Sequence, residues 1–406
     1  MPQTPNAFAT LERPYLLVTH IPYYEDQRGD VWLTRLWHHD LVGHLSYLKD
    51  FIVCAPRLTK GSEADQPDLV HLDVPNGVRV RFVQLPPQAT MLKALRFMPR
   101  TILAVWRAVG GAHIVHSGVS IPLYWVANFV ARLRGRKLVI VVESQWRRGF
   151  GASRSSATRL YDMVVDAVAR WSCSRADVAL YTHEVYRDVL HRPGRGAAYV
   201  TPAIWINDSD VVDDNSAELS WARKALQPVR LLFAGRLEAS KGIEILLSAL
   251  RSLEARGVGV QIDIIGSGSN RPSCVQAAAD LRCVRVEVLD PVPYGAPFFD
   301  LLHRYHALVV PSITDEQPRV VFDANAQAVP VIASNTDGLR PHVDHDRTGW
   351  LVPPSDSEAL AAAIERAVAS GPELRRMGLV ALARTRGLSH TAMHSVRSQI
   401  LKRHLG

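Results

Sequence analysis

The run LVVPSITDEQPRVVFDANAQAVPV, Leu308 to Val331, reads as strand, loop, helix and the start of a second strand. Three apolar residues, Leu308 to Val310, stop at Pro311, and a polar loop leads to a helix expected from near Pro318. Asp315 and Asp323 have seven residues between them. If the helix is regular, Asp315 lies at its mouth and Asp323 about a turn and a half inside, so both carboxylates face one crevice. A helix N-terminus, here near Arg319 and Val320, offers unpaired N–H groups and a positive dipole end, which suits phosphate. Carboxylates suit sugar or ribose hydroxyls, so the pattern predicts a ligand carrying both. Most carboxylate pairs at such spacing are simply solvated helix faces, and the reading needs support elsewhere.

That support is LLFAGRLEASKGIEILLSAL, Leu231 to Leu250. An apolar strand ends at Gly235 and Arg236, a short loop follows, and Lys241 and Gly242 open a helix patterned by Ile243, Leu246, Leu247 and Leu250. In an open parallel sheet the carboxyl edge of the strands faces the ligand crevice. Arg236 by a forked hydrogen bond and Lys241 as a point charge would then converge on a diphosphate. Two exposed basic residues on a loop would look the same in isolation.

Together these stretches resemble family 4 retaining glycosyltransferases. PSITDEQPRVVFDANAQAVPVIAS is similar to that family's acidic motif, in which a Pro-Ser pair leads to two acids with seven residues between them, then a small-residue helix and a Pro-Val-Ile strand. A Gly-Arg pair followed by Lys-Gly at a helix start, earlier in the chain, is the family's other hallmark. The chain departs from the pattern in three ways. The acids are aspartates where glutamate is commoner, Glu316, Gln317 and Pro318 replace a glycine-rich turn, and Ala328 stands where glycine is usual. The resemblance implies an α/β, GT-B architecture: two doubly wound Rossmann-like domains facing an interdomain cleft. It implies a nucleoside diphosphate sugar as donor, Arg236 and Lys241 on the departing diphosphate, Asp315 on the donor sugar's hydroxyls and Asp323 on the ribose. It also implies front-face transfer to an acceptor hydroxyl without a metal or other cofactor.

With 406 residues, 47% hydrophobic and 21% charged, the chain is long enough for two ordinary domains and is not disordered by composition. A formal net charge of +8 suits an acidic partner: a nucleoside diphosphate, an anionic lipid head or nucleic acid. No nucleic-acid recognition module is apparent, so nucleic acid is not expected. The four cysteines show no metal-binding spacing and read as reduced core residues of a cytoplasmic protein. No signal peptide and no membrane-spanning run of roughly 20 apolar residues is expected.

Taken in order, Tyr15 to Thr19 is a short strand, followed by a loop rich in hydrogen-bonding groups and a helix-like run over Val31 to Leu45. Gly29 stands before that run, where a backbone can approach a ligand. Strands are expected at Phe51 to Ala55, Val78 to Leu85, His113 to His116, Leu138 to Val142 and Asp177 to Thr182, separated by helical segments. His116 reads as structural. Glu143 falls in chain order where the family often has a catalytic histidine; it contacts a donor hydroxyl, or helps to orient the acceptor, or caps a helix. Met91 to Val109 mixes Lys93, Arg96, Arg100 and Arg107 with bulky apolar residues, and Arg132 to Lys137 and Trp146 to Arg148 add further cations. Such a surface seats on an anionic membrane, and many family members act peripherally on lipid-linked or polysaccharide acceptors of the bacterial envelope. Pro99 and snorkelling arginines on a buried helix are the competing explanation.

Residues 1–206 are expected as an acceptor-side domain, the acidic stretch 207–228 as a linker, 229–385 as the donor domain, and 386–406 as a helix crossing back to the first domain. In the donor domain, Gly266 in IIGSGSN reads as part of a nucleotide-crevice loop rather than a dinucleotide fingerprint, because no third glycine follows. DPVPY, with Val292, resembles the family's base-contacting loop and also fits a plain turn. A nucleotide-sugar epimerase or phosphorylase on the same fold, and a non-catalytic partner subunit, remain the alternatives.

Overall fold

In the computed structural model the described residues are 8–59, 68–86, 96–143, 156–193, 196–313 and 319–406. They form two compact units, one of residues 1–202 with 391–406 and the other of residues 203–390.

The first unit holds strands β1 (Tyr15–Val18), β2 (Tyr23–Glu25), β3 (Val31–Thr34), β4 (Asp50–Thr59), β5 (Leu69–His71), β6 (Arg79–Leu85), β7 (Ile114–Ser117), β8 (Lys137–Val142), β9 (Val178–Tyr181) and β10 (Ala197–Val200). They make one ten-stranded sheet in the order β10-β9-β8-β7-β1-β4-β2-β3-β5, with β6 also pairing with β4. Its central ladders are parallel. Side chains alternate between the two faces. Leu16 and Val18 enter a core with the helices Met98–Gly110, Pro122–Leu133 and Ser156–Arg175. Tyr15 and Leu17 enter the opposite core with Leu41 and Leu45 of helix Arg35–Leu45.

One expectation is corrected here. Val31 to Thr34, read as the start of a helix, is β3, paired antiparallel with β2 through Tyr24 and Trp32, and the helix begins only at Arg35. Pairing on both flanks, with β2 through Trp32 and Val31 and with β5 through Trp32, Leu33 and Thr34, decides for strand.

The second unit holds β11 (Arg230–Ala234), β12 (Val260–Ile265), β13 (Val284–Leu289), β14 (Ala307–Val310), β15 (Val331–Ser334) and β16 (Gly349–Val352). All its ladders are parallel, in the order β13-β12-β11-β14-β15-β16. This order reverses direction between β11 and β14, which opens a crevice outside the carboxyl ends of those two strands. Helices cover both faces: Ile243–Ala255 and Ser357–Ala369 on one, Ala296–Leu302 and Val320–Ala326 on the other.

The acidic stretch expected as a linker is built into this unit. Asp213 caps helix Asp214–Lys224 by accepting from the Ser216 N–H at 2.8 Å. Trp221 on that helix is buried and donates Nε1–H to the Ala328 carbonyl at 2.9 Å. Lys224 lies over the Trp221 ring at 3.8 Å, and burial lowers its amine to about 7. The acids cap a helix end, while two apolar residues four apart, Ala217 and Trp221, anchor it.

The helix His390–Leu405 follows, and its part from Thr391 belongs to the first unit. Ile400, Leu401 and Leu405 complete the core around Tyr15 and Phe51. Ser398 Oγ accepts from the Ala9 N–H at 2.9 Å, and Tyr199 Oη meets His404 Nε2 at 2.9 Å.

Candidate active site

At the carboxyl edge of the second sheet, three loops interlock through glycine backbones. The loop after β11 runs Gly235, Arg236, Leu237, Glu238, then a short turn Ala239–Lys241 that ends at Gly242 with φ +71. A Cβ on Gly242 would stand 1.8 Å from the Pro311 carbonyl oxygen, just past β14, so only glycine lets the two loops meet. A Cβ on Gly266, after β12, would stand 1.9 Å from the Gly235 carbonyl oxygen. Hydrogen bonds fix the rest: Leu237 N–H to Ser267 O at 2.8 Å, Asn270 N–H to Leu237 O at 2.9 Å and Ile313 N–H to Ser240 O at 3.1 Å.

Glu238 accepts from the Ser269 N–H at 3.0 Å and its hydroxyl at 2.7 Å, which holds the carboxyl below its ordinary range. Arg271 bridges the ends of two strands, donating to the Gly266 and Leu289 carbonyls, both at 3.2 Å, and to Asp290 at 2.9 Å. These contacts hold the backbone that carries Arg236, which is exposed, and Lys241, which is half-buried.

The second cluster lies between the loop after β13 and helix Val320–Ala326. Asp323 is buried and accepts from Tyr294 Oη at 3.0 Å. Burial raises its pKa to about 7, opposed by the Tyr294 hydrogen bond and the Arg319 charge and reinforced by Asp210. Val292, in the same loop as Tyr294, is half-buried against that core. Arg319 precedes the helix and lies over the Trp205 ring at 4.0 Å. Sequence reading missed Trp205 and gave Tyr294, the end of DPVPY, no partner; both pairings become visible only in the folded chain.

Of the remaining predicted site residues, Asp315 lies outside the described residues. Glu143 follows β8 in the first unit, about half exposed, with Oε1 3.8 Å from Arg397 Nη2. Gly29 sits at φ +86 in the turn between β2 and β3, and the turn itself requires glycine there. His116 is buried, meets Tyr15 Oη at 3.0 Å, and burial lowers its pKa well below the usual range.

Residues 228–370 match the family model described as "Glycosyl transferases group 1". The chain is 26% identical over 282 residues to an alpha-D-kanosaminyltransferase of Streptomyces kanamyceticus, covering 66% of this chain and 70% of that one. It is 26% identical over 379 residues to a D-inositol 3-phosphate glycosyltransferase of Jonesia denitrificans, covering 84% of each. Among solved structures, sucrose-phosphate synthase from Thermosynechococcus elongatus superposes with a TM-score of 0.69 at 20% identity, over 97% of this chain and 99% of that one. The fold is GT-B, and the second unit is a glycosyl transferases group 1 domain. Along most of its length the chain is similar to glycosyltransferases, with the group 1 domain at residues 228–370.

Proposed function

We propose that the chain is a family 4 retaining glycosyltransferase that moves a sugar from a nucleoside diphosphate donor to an acceptor hydroxyl. The observation that carries this reading is the glycine-locked loop after β11, which presents Arg236 and Lys241 at the switch point of the sheet. As the donor bond breaks, negative charge grows on the departing diphosphate. The two cations and the backbone N–H groups near Arg319 and Val320 stabilise it. Asp315 is assigned to the donor sugar's hydroxyls, Asp323 to the ribose and the backbone near Val292 to the base. Glu143 is assigned to orienting an acceptor hydroxyl, and the departing phosphate to taking its proton. None of these steps calls on a metal. NMR of the product formed from an α-linked donor tests the reading: an α product supports retention, and a β product rejects it.

Asp323 makes the proposed donor binding depend on pH. Its carboxylate accepts ribose hydroxyls only when ionised, and a pKa of about 7 means that the ionised fraction rises roughly tenfold between about pH 6 and about pH 8. Nucleoside diphosphate affinity is expected to rise with it, and Asp323→Asn to flatten the profile in calorimetric titrations. Stability runs the other way. The folded pKa lies above the unfolded value, so the contribution of Asp323 is complete below the unfolded pKa and is lost as pH rises through about 7.

We further propose that the enzyme works on the cytoplasmic face of an anionic membrane, on a lipid-linked or polysaccharide acceptor. Among the described residues, no helix is long and apolar enough to cross a membrane. Helix Met98–Gly110 exposes Ile102, Leu103 and Trp106, and helix Pro122–Leu133 beside it exposes Phe129 and Leu133. Arg100 and Arg107 line a groove with Leu103, and Arg134 covers the Trp106 ring at 4.1 Å. Each basic residue near an anionic surface contributes about 1 kcal/mol. Arg100→Gln with Arg107→Gln should therefore weaken binding to phosphatidylserine vesicles roughly 30-fold in flotation assays, with neutral vesicles unaffected.

A further inference from the structure

A second chemical cluster lies in the first unit, apart from any residue assigned to transfer. Asp40 and His44 stand one turn apart on helix Arg35–Leu45, and the fold brings His394 of the terminal helix to them. Each offers one ligand atom, and these atoms lie within 4.8 Å of one another. His394 Nε2 is 3.4 Å from Asp40 Oδ1, and the His44 and His394 rings meet edge to face with centroids 4.8 Å apart. Both histidines are buried, while the Asp40 side chain keeps 18% of its surface exposed, which leaves a path for an ion.

The His44 ring is turned toward its helix neighbour. Its Nδ1 lies 2.9 Å from the Asp40 backbone carbonyl and 3.6 Å from Asp40 Oδ2. Tyr47, Phe51 and His116 pack around the His44 ring, and Arg397 on the terminal helix directs Nη2 toward Glu143 at 3.8 Å. Two imidazoles and one carboxylate match a borderline cation of the zinc class, whereas calcium and magnesium favour all-oxygen sites.

We propose that Asp40, His44 and His394 bind one zinc-class transition-metal ion that fastens the terminal helix to the first unit. His44 and His394 are far apart in sequence and Asp40 and His44 supply only two of the three ligands, so spacing alone gives no metal signal. The site is structural and stands whether or not the transfer reaction is assigned correctly.

The test is a titration of the chelator-stripped full chain with Co²⁺ and then Zn²⁺. The expected result is one Co²⁺ per chain, with the visible d–d absorption of a low-coordinate nitrogen and oxygen site, displacement by Zn²⁺ and a rise in Tm with either ion. Asp40→Asn, which keeps shape and volume, should weaken binding at least about tenfold, and His394→Gln should abolish it. If His394→Gln does not fold, Asp40→Asn and His44→Gln decide the matter. Absence of saturable binding in the wild type, or unchanged binding in the variants, overturns the proposal.

Discussion

Replacing Arg236 and Lys241 together by alanine is expected to lower kcat by about 10²- to 10³-fold or more, since removing one preorganised donor to a developing anion typically costs that much. Arg236 is exposed and Lys241 half-buried at the tip of a loop whose backbone is held by Ser267, Asn270 and Ile313, so the ligand-free Tm should scarcely change. The effect of nucleotide should change sharply. A ligand at about 100 times its dissociation constant adds roughly 2.7 kcal/mol of stability, and the double variant should lose that increment with UDP, GDP or ADP, whichever stabilises the wild type. A double variant that keeps both turnover and nucleotide stabilisation would remove these residues from the donor site.

Gly242→Ala is expected to be the most damaging single methyl group in the second unit. The left-handed backbone costs an L-residue about 1–2 kcal/mol, and overpacking typically adds about 1–3 kcal/mol. Here the added Cβ would meet a carbonyl oxygen at 1.8 Å, and that oxygen belongs to the backbone after β14, so relief requires the two loops to separate. A domain of this size should lose roughly 5–15 °C in Tm. Separation would also move Lys241 away from the switch point, so activity should fall at temperatures where the variant is still folded. Gly257→Ala is the control: its φ is +69 but no atom lies within 4 Å of the added carbon, and only the backbone cost should appear.

The central strands of the second sheet were legible in the sequence because parallel, doubly covered strands are short apolar runs bounded by loops; the run Leu308 to Val310 falls within β14 and the one from Leu231 within β11. The edge of the first sheet was less so. Val31 to Thr34 is too short to establish its own period, and its pairing with β2 and β5 is decided by non-local contacts. In the candidate site, the Gly-Arg and Lys-Gly pairs were visible as local patterns. Tyr294 and Asp323, 29 residues apart, were each singled out without the hydrogen bond between them. The stacking of Arg319 on Trp205 was invisible, since it joins a helix start to a segment before the first strand of its unit. What spacing encodes within one turn or one loop can be read; what packing assembles from distant segments cannot.

The terminal helix gives the first unit a discontinuous sequence, and this sets a timetable. On a ribosome, the segment carrying Ile400, Leu401 and Leu405 emerges after all of residues 203–390, so the second unit has its whole chain available before the first can close its core. Until then the apolar surface around Tyr15 and Phe51 lacks its cover, and a nascent chain would offer that surface to chaperones throughout synthesis of the donor-side unit. Of the two units, the one whose synthesis begins first is thus the one completed last.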